Sequence, residues 1–190
     1  MATAPKNAAT KSGTRKNSAQ SKGTTSDGPD AIALLRADHK RVADLYEEYE
    51  HTRSSAKKKA IVSKICLELS IHAQVEEEIF YPAVKAALKD KEMVPEAQVE
   101  HGSLKELIAQ VKDKEPDGEM FDAKIKVMSE YTKHHVKEEH TEMFPKARKT
   151  KLDMNELGAR LQARKDELMA NPELMEAPPM PASQAMAATA

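Results

Sequence analysis

The chain has no tryptophan, one cysteine, three phenylalanines and four tyrosines. With aromatic side chains at only 4% of 190 residues, any core must be built from Leu, Ile, Val, Met and Ala, the composition of a helical bundle. Cys66 has no partner for an internal disulfide, which fits a reducing, cytoplasmic setting. Its neighbours Ile65, Leu67 and Leu69 mark it as a small buried filler rather than a reactive thiol. No apolar run approaches the roughly 20 residues that a helix needs to cross a bilayer, so no membrane span is expected. Charge of either sign is not in excess: 30 Lys and Arg face 31 Asp and Glu, which argues against specific recognition of nucleic acid. A Gly-rich phosphate loop, a Gly-x-Ser-x-Gly elbow and zinc-type cysteine pairs are missing as well, and with them several enzyme classes.

What is present divides the chain into four parts. Residues 1–28 hold Lys6, Lys11, Arg15, Lys16 and Lys22 against one acid, Asp27, and read as a disordered basic tail. They contain no apolar stretch of the secretory kind. Residues 29–150 carry the periodicity of an all-α, antiparallel, up-and-down four-helix bundle, 151–170 a short fifth helix, and 171–190 a second disordered tail of Pro, Ala and Met. Helices are expected near 29–51, 56–89, 95–113, 119–148 and 154–170. Their starts are marked by Pro29, by Ser54 with Ser55, by Pro95, by Asp117 with Gly118, and by the capping-box pair Asp153 and Glu156. Apolar stripes at helical spacing support the first four, for example Leu35, Val42, Leu45 and Tyr49, or Ile61, Ile65, Leu69 and Ile79.

A repeat underlies these helices. A shift of 62 residues puts His39 on His101, Val42 on Leu104 and Leu45 on Leu107. A shift of 63 puts His72 on His135, Glu76 on Glu139, Tyr81 on Phe144 and Pro82 on Pro145. The body is therefore two copies of a helical hairpin, each with one His on its first helix and a His-x-x-x-Glu on its second.

Four residues along a helix turn about 400° and rise about 6 Å, so the His and Glu of each pair share a face. All six residues fall within apolar stripes and point inward. A single His-x-x-x-Glu is ordinarily a surface ion pair of about 0.3 to 0.5 kcal/mol. Two such pairs in register, with two further histidines at matching offsets, are not explained that way, and buried unpaired they would cost several kcal/mol. His39, His72, Glu76, His101, His135 and Glu139 are accordingly expected to bind metal. Imidazole and carboxylate without thiolate suit iron, manganese or zinc, and bridging carboxylates in a bundle core suit a pair of ions. Two imidazoles per ion, two bridging carboxylates and an oxo or hydroxo bridge would leave one open position on each.

The segments Asp38-His39-Lys40, His72 through Glu76 to Phe80-Tyr81-Pro82, Glu100-His101, and His135 through Glu139 to Phe144-Pro145 resemble the hemerythrin-like, or HHE cation-binding, family over about residues 29–150. The resemblance implies a non-haem di-iron centre in a four-helix bundle, with oxygen-related chemistry. It also exposes a departure. Oxygen-carrying members have a His-x-x-x-His pair on the third helix, whereas here Ala97 and Lys105 flank His101 at four residues. Without the fifth histidine the two ions become nearly equivalent and both open, which favours turnover of O2 or hydrogen peroxide over carriage.

Glu68, Tyr46 and Tyr131 are expected to support the ligands from nearby turns. Glu77, Glu100, His134 and His140 sit one residue from a ligand, about 100° around the helix, and read as solvated; His51 reads as exposed near a helix end. Three functions compete. The first is an iron-dependent oxidoreductase of catalase- or peroxidase-like type, and the second an oxygen or iron store or sensor. The third is an interaction protein whose fifth helix, through Met154, Leu157, Leu161 and Leu168, docks a partner. The sequence names no electron donor and leaves monomer and homodimer both open.

Overall fold

The computed structural model describes residue 1 and residues 30–89, 92–116 and 118–175. Most of the two expected tails, and the expected caps Pro29 and Asp117, lie outside the described residues. Helix α1 spans Ala31–His51, α2 Ser55–Val75, α3 Tyr81–Ala87, α4 Met93–Val111, α5 Glu119–Glu138, α6 Phe144–Arg148 and α7 Met154–Ala170. Among the described residues every element is helical.

The boundaries follow local chemistry. Asp30 caps α1 by accepting the Ala33 N–H at 2.8 Å, Ser54 caps α2, and Asp153 caps α7 by accepting the N–H groups of Asn155 and Glu156. Gly118 enters α5 at φ 127°, a conformation that a side chain would oppose. Helix α4 begins two residues ahead of Pro95, which therefore sits in the first turn, where its missing N–H costs nothing. The first residues of the segment expected as a tail at 171–190 are ordered on the bundle, and 176–190 lie outside the described residues. Pro172–Leu174 forms a 3-10 turn, and Gln74 Nε2 donates to the Leu174 carbonyl at 3.2 Å.

Two π-helical segments, Glu76–Phe80 and Glu139–Met143, join α2 to α3 and α5 to α6 at equivalent places in the repeat. Pro82 and Pro145 cause them, because neither can donate the N–H that a continuous α-helix requires one turn back. The ladder widens instead: the Tyr81 N–H reaches the Glu76 carbonyl and the Phe144 N–H reaches the Glu139 carbonyl, five residues back in each case. In an α-helix five residues turn about 500° and would place Tyr81 about 140° away from Glu76. The wider turn stacks the two on one face.

Helix α1 packs on α2, α4 on α5, α2 on α4 and α1 on α5, closing the four-helix bundle. Its apolar core is in two parts. One contains Leu35, Val75, Phe80, Ala97, Phe144 and Leu161; the other contains Val42, Tyr46, Ile65, Leu69, Ile108, Ile125 and Met128. The buried His and Glu residues occupy the layer between them.

Helix α7 lies on α1 and α2 and buries Leu157, Leu161 and Leu168, so the stripe that suggested an external partner is used within the chain. On the same stripe Lys165, 8% exposed, donates to Asp38 Oδ1. Burial works against ionisation of Asp38, but His72 and Lys165 outweigh it and hold the carboxyl below its usual range. Replacing Lys165 by Ala should destabilise the fold by about 3 kcal/mol, because one member of a buried pair is left behind. Thermal unfolding should show it as a fall of about 6 to 12 °C. A depressed carboxyl pKa contributes stability above about pH 4 and loses it as the pH falls further, so the difference between variant and wild type should narrow in acid.

Candidate metal centre

The six residues singled out by the repeat converge. The imidazole Nε2 atoms of His39 and His72 lie 2.9 Å apart, and those of His101 and His135 lie 3.1 Å apart, one pair from each hairpin. The carboxylates cross between the hairpins. Glu76 Oε2 is 3.1 Å from His72 Nε2 and 3.5 Å from His101 Nε2. Glu139 Oε2 is 3.2 Å from His39 Nε2 and 3.7 Å from His135 Nε2. All six are buried, Glu76 completely.

Two fully buried groupings meet the distance requirements of a cation, His39 with His72, Glu76 and Glu139, and Glu76 with His101 and His135; a third, Glu100 with His134 and Glu138, lies nearer the surface. Glu76 belongs to both buried groupings. Further support comes from the carboxylate oxygens: Glu76 Oε1 is buried and accepts no hydrogen bond, and Glu139 Oε2 has histidine nitrogens as its neighbours. An orphaned buried carboxylate oxygen is costly, and a bound cation is the direct remedy. Four imidazoles facing two carboxylates in a thiolate-free core form, once the imidazoles give up their protons to a cation, a donor set that fits iron, manganese or zinc.

Each imidazole turns its other nitrogen outward. His72 Nδ1 faces Asp38 Oδ2 at 3.5 Å, His101 Nδ1 faces Glu77 Oε1 at 3.0 Å, His135 Nδ1 faces Glu100 Oε2 at 2.7 Å, and His39 Nδ1 faces His140 Nε2 at 2.9 Å. Every one of these outer groups is the sequence neighbour of a candidate ligand on the adjacent helix. Such partners fix ring orientation and raise ligand basicity. The protonation directions agree. Burial disfavours the His72 cation, but Glu76 and Asp38 overcome it and raise the pKa to about 10. His135 is also raised against burial, chiefly by Glu100, whereas burial prevails at His39 and lowers it. Burial opposes ionisation of Glu139 too, yet its histidine neighbours hold the carboxyl well below the usual range.

Several expectations are corrected here. Glu77, Glu100 and His140 are not merely solvated neighbours, because helix-to-helix packing lets their side chains reach sideways to the next ligand. His134 does stay exposed, and so does His51. Of the residues expected to support the ligands, none touches the cluster. Glu68 pairs with Arg41 at 3.1 Å, Tyr46 shares a hydrogen bond with Thr132 at 3.3 Å, and Tyr131 is 50% exposed. Thr132, three residues before His135, takes the inward place assigned to Tyr131.

Tyr81 also enters the cluster, at a position that the six-residue pattern does not single out. Its hydroxyl donates to Glu139 Oε1 at 3.1 Å or Glu76 Oε2 at 3.3 Å and lies 3.2 Å from His101 Nε2 and 3.4 Å from His135 Nε2. Its repeat mate Phe144 stacks on His39 with ring centroids 5.9 Å apart and offers no polar atom. The two halves are therefore inequivalent, contrary to the expectation from the six ligands. The signal was available as a polar difference, Tyr for Phe, beside the matching prolines of the repeat.

The hemerythrin HHE cation-binding domain matches residues 30–147, which takes in both hairpins and all six candidate ligands. The chain belongs to this family. A solved hemerythrin HHE cation-binding domain-containing protein from Mycobacterium kansasii superposes with a TM-score of 0.63 at 19% identity, over 77% of this chain and 93% of that one. At that identity the likeness shows the fold alone. A protein of Nostoc sp. described as a DNA nickase is 26% identical over 111 residues, 58% of this chain. The chain spans only 31% of that relative's length. As an HHE-domain protein, this chain is a metal-binding helical module.

If the outer groups tune this centre, Glu77→Gln and His140→Ala should each weaken metal affinity by about 10- to 100-fold, read by competition with a coloured chelator. Glu68→Gln, on a residue committed to Arg41, should leave affinity unchanged.

Proposed function

We propose that the HHE domain of this chain holds two non-haem iron ions and reacts with O2 or hydrogen peroxide, disproportionating peroxide in a catalase-like manner. One observation carries the reading: two imidazoles from each hairpin and two crossing carboxylates form a buried pair of sites, with Ala97 where a further histidine would close one of them. His39, His72, Glu76, His101, His135 and Glu139 would be the ligands. Held by these six residues, an iron pair would supply two electrons and take them back by cycling between ferrous and ferric states. In the balanced reaction one peroxide accepts two electrons and two protons and splits its O–O bond to give two waters. A second gives up two electrons and two protons and leaves as O2, so no outside reductant is consumed.

The surrounding residues suit such chemistry. Burial, reinforced by Glu76 and Glu139, holds the Tyr81 pKa well above its ordinary value, so the hydroxyl keeps its proton at neutral pH beside Glu139 Oε1. It is positioned to lend that proton and recover it. A recess of about 20 Å³ bounded in part by Val42, Leu69, Leu104 and Ile108 adjoins all four imidazoles, with room for a small uncharged molecule. Storage or sensing of oxygen or iron remains the competing reading, since the same ligands would serve it without turnover. The nicking activity named for the Nostoc relative has less in its favour, because the opening beside His135 and Glu139 is walled with carboxylates that repel phosphate.

Metal analysis, absorption spectra and an oxygen electrode test this together. Iron-loaded protein should contain two irons per chain, show oxo-bridged ferric bands, and release one O2 for every two peroxides consumed. Tyr81→Phe should retain both irons and lose about 10²- to 10⁴-fold in rate, the usual contribution of a positioned proton donor. Two bound irons with a reversible spectral response to O2 and no peroxide consumption would replace turnover by storage or sensing.

A further inference from the structure

A second feature lies beside the centre. A cavity of about 190 Å³ has His135 and Glu139 among its lining residues and Ala97, 4% exposed, in its wall. The rest of the lining includes Glu92, Glu96, Glu100, Glu138 and Glu142, and no lysine or arginine. Glu92, Glu96 and Glu142 are exposed and form the mouth, while Glu139 is 1% exposed and lies at the floor. In a chain whose charges cancel to −1, a lining this one-sided is not a sample of the general surface.

We propose that this acid-walled cavity is the port by which a divalent cation reaches the dimetal centre, with Glu100, His134 and Glu138 as its outer holding site. The proposal rests on the reading of the six buried residues as metal ligands. Three observations support it. His134 Nε2 lies 3.2 Å from Glu138 Oε1 and 3.5 Å from Glu100 Oε1, and one ligand atom from each of the three residues falls within 4.8 Å of the others. Glu100 links the two places, since its Oε2 takes His135 Nδ1 at 2.7 Å while its Oε1 faces His134. At the inner end, the floor residues Glu139 and His135 both belong to the buried cluster, where Glu139 Oε2 has histidine nitrogens beside it, His39 Nε2 at 3.2 Å and His135 Nε2 at 3.7 Å.

The electrostatics select the traveller. Peroxide and O2 are uncharged and gain nothing from a carboxylate wall, whereas a cation is concentrated by it and stripped of water in steps. Ala97 supplies the opening: it sits one turn before His101, and any larger side chain there would project into the cavity.

Isotope exchange tests the port without net loading or unloading. Full-length protein reconstituted with ferrous iron under anaerobic conditions is mixed with excess isotopically enriched ferrous iron, and exchange into the protein is followed by mass spectrometry after desalting. The triple variant Glu96→Gln, Glu138→Gln, Glu142→Gln should exchange about tenfold more slowly and lose most of the salt dependence of the rate, with metal content unchanged. Ala97→Leu should slow exchange by filling the cavity, again at unchanged metal content. Wild-type exchange rates in both variants would overturn the proposal. Slow exchange in Ala97→Leu alone would overturn the carboxylate holding site and leave only a neutral channel. A wild-type chain that retained no metal would overturn the underlying reading of the centre, and the metal content reveals this before any exchange is measured.

Discussion

The constraint on which the rest of this protein depends is the placement of four imidazoles and two carboxylates in a layer between two apolar core clusters. Desolvating ionised groups in such a place costs several kcal/mol each, more than a bundle of this size has in reserve. The fold answers the cost in two ways. Each imidazole has a polar group facing its Nδ1, at 2.7 to 3.5 Å, and the inward atoms are gathered so that a cation can neutralise them together. Under the proposed function folding and metal binding are coupled, because ligands assembled for a metal are poorly satisfied without it.

The outward partners follow a rule that circles the bundle. Asp38, next to His39, serves His72; Glu77, next to Glu76, serves His101; Glu100, next to His101, serves His135; and His140, next to Glu139, serves His39. Each helix thus contributes a ligand and, one residue away, a brace for its neighbour's ligand. The arrangement ties α1, α2, α4 and α5 into one electrostatic ring, and α7 extends it by one link through Lys165 and Asp38. Displacing any one helix disturbs two ligands rather than one, which makes the geometry of the centre a property of the whole bundle.

Much of this was legible in the sequence because the repeat carries both register and chemistry. The shifts of 62 and 63 residues selected the residues that converge, and the capping signals at Asp153 and Ser54 placed helix starts to within a residue. The outer groups were missed for a physical reason. Helical-wheel reasoning treats each helix alone, and on a single wheel Glu77 or His140 points about 100° away from the site. A neighbouring helix fills that direction, so an apparently solvated position becomes an interhelical contact. The same shifts pair Asp38 with Glu100 and Glu77 with His140, a regularity that solvated faces have no reason to keep. Tyr131 went wrong in the opposite sense, since four-residue spacing from His135 leaves it at the edge of the buried stripe and Thr132 lies nearer its centre.

The two prolines show how one local rule can set the asymmetry of a nearly symmetric site. Pro82 and Pro145 force the same π segment in both hairpins, and each segment swings an aromatic residue over its carboxylate. Were both residues Phe, no hydroxyl would enter the layer. Because one is Tyr81, a single hydroxyl enters the layer and lies within 3.4 Å of atoms from Glu76, His101, His135 and Glu139, while Phe144 only packs on His39. Backbone geometry is thus repeated and side-chain chemistry is not. Under the proposed function that difference places the proton-bearing group on the side where Ala97 opens the cavity, and leaves the His39 and His72 side closed by aromatic packing. A difference of one oxygen atom, delivered by the same backbone device, is enough to make the two halves of the cluster chemically distinct.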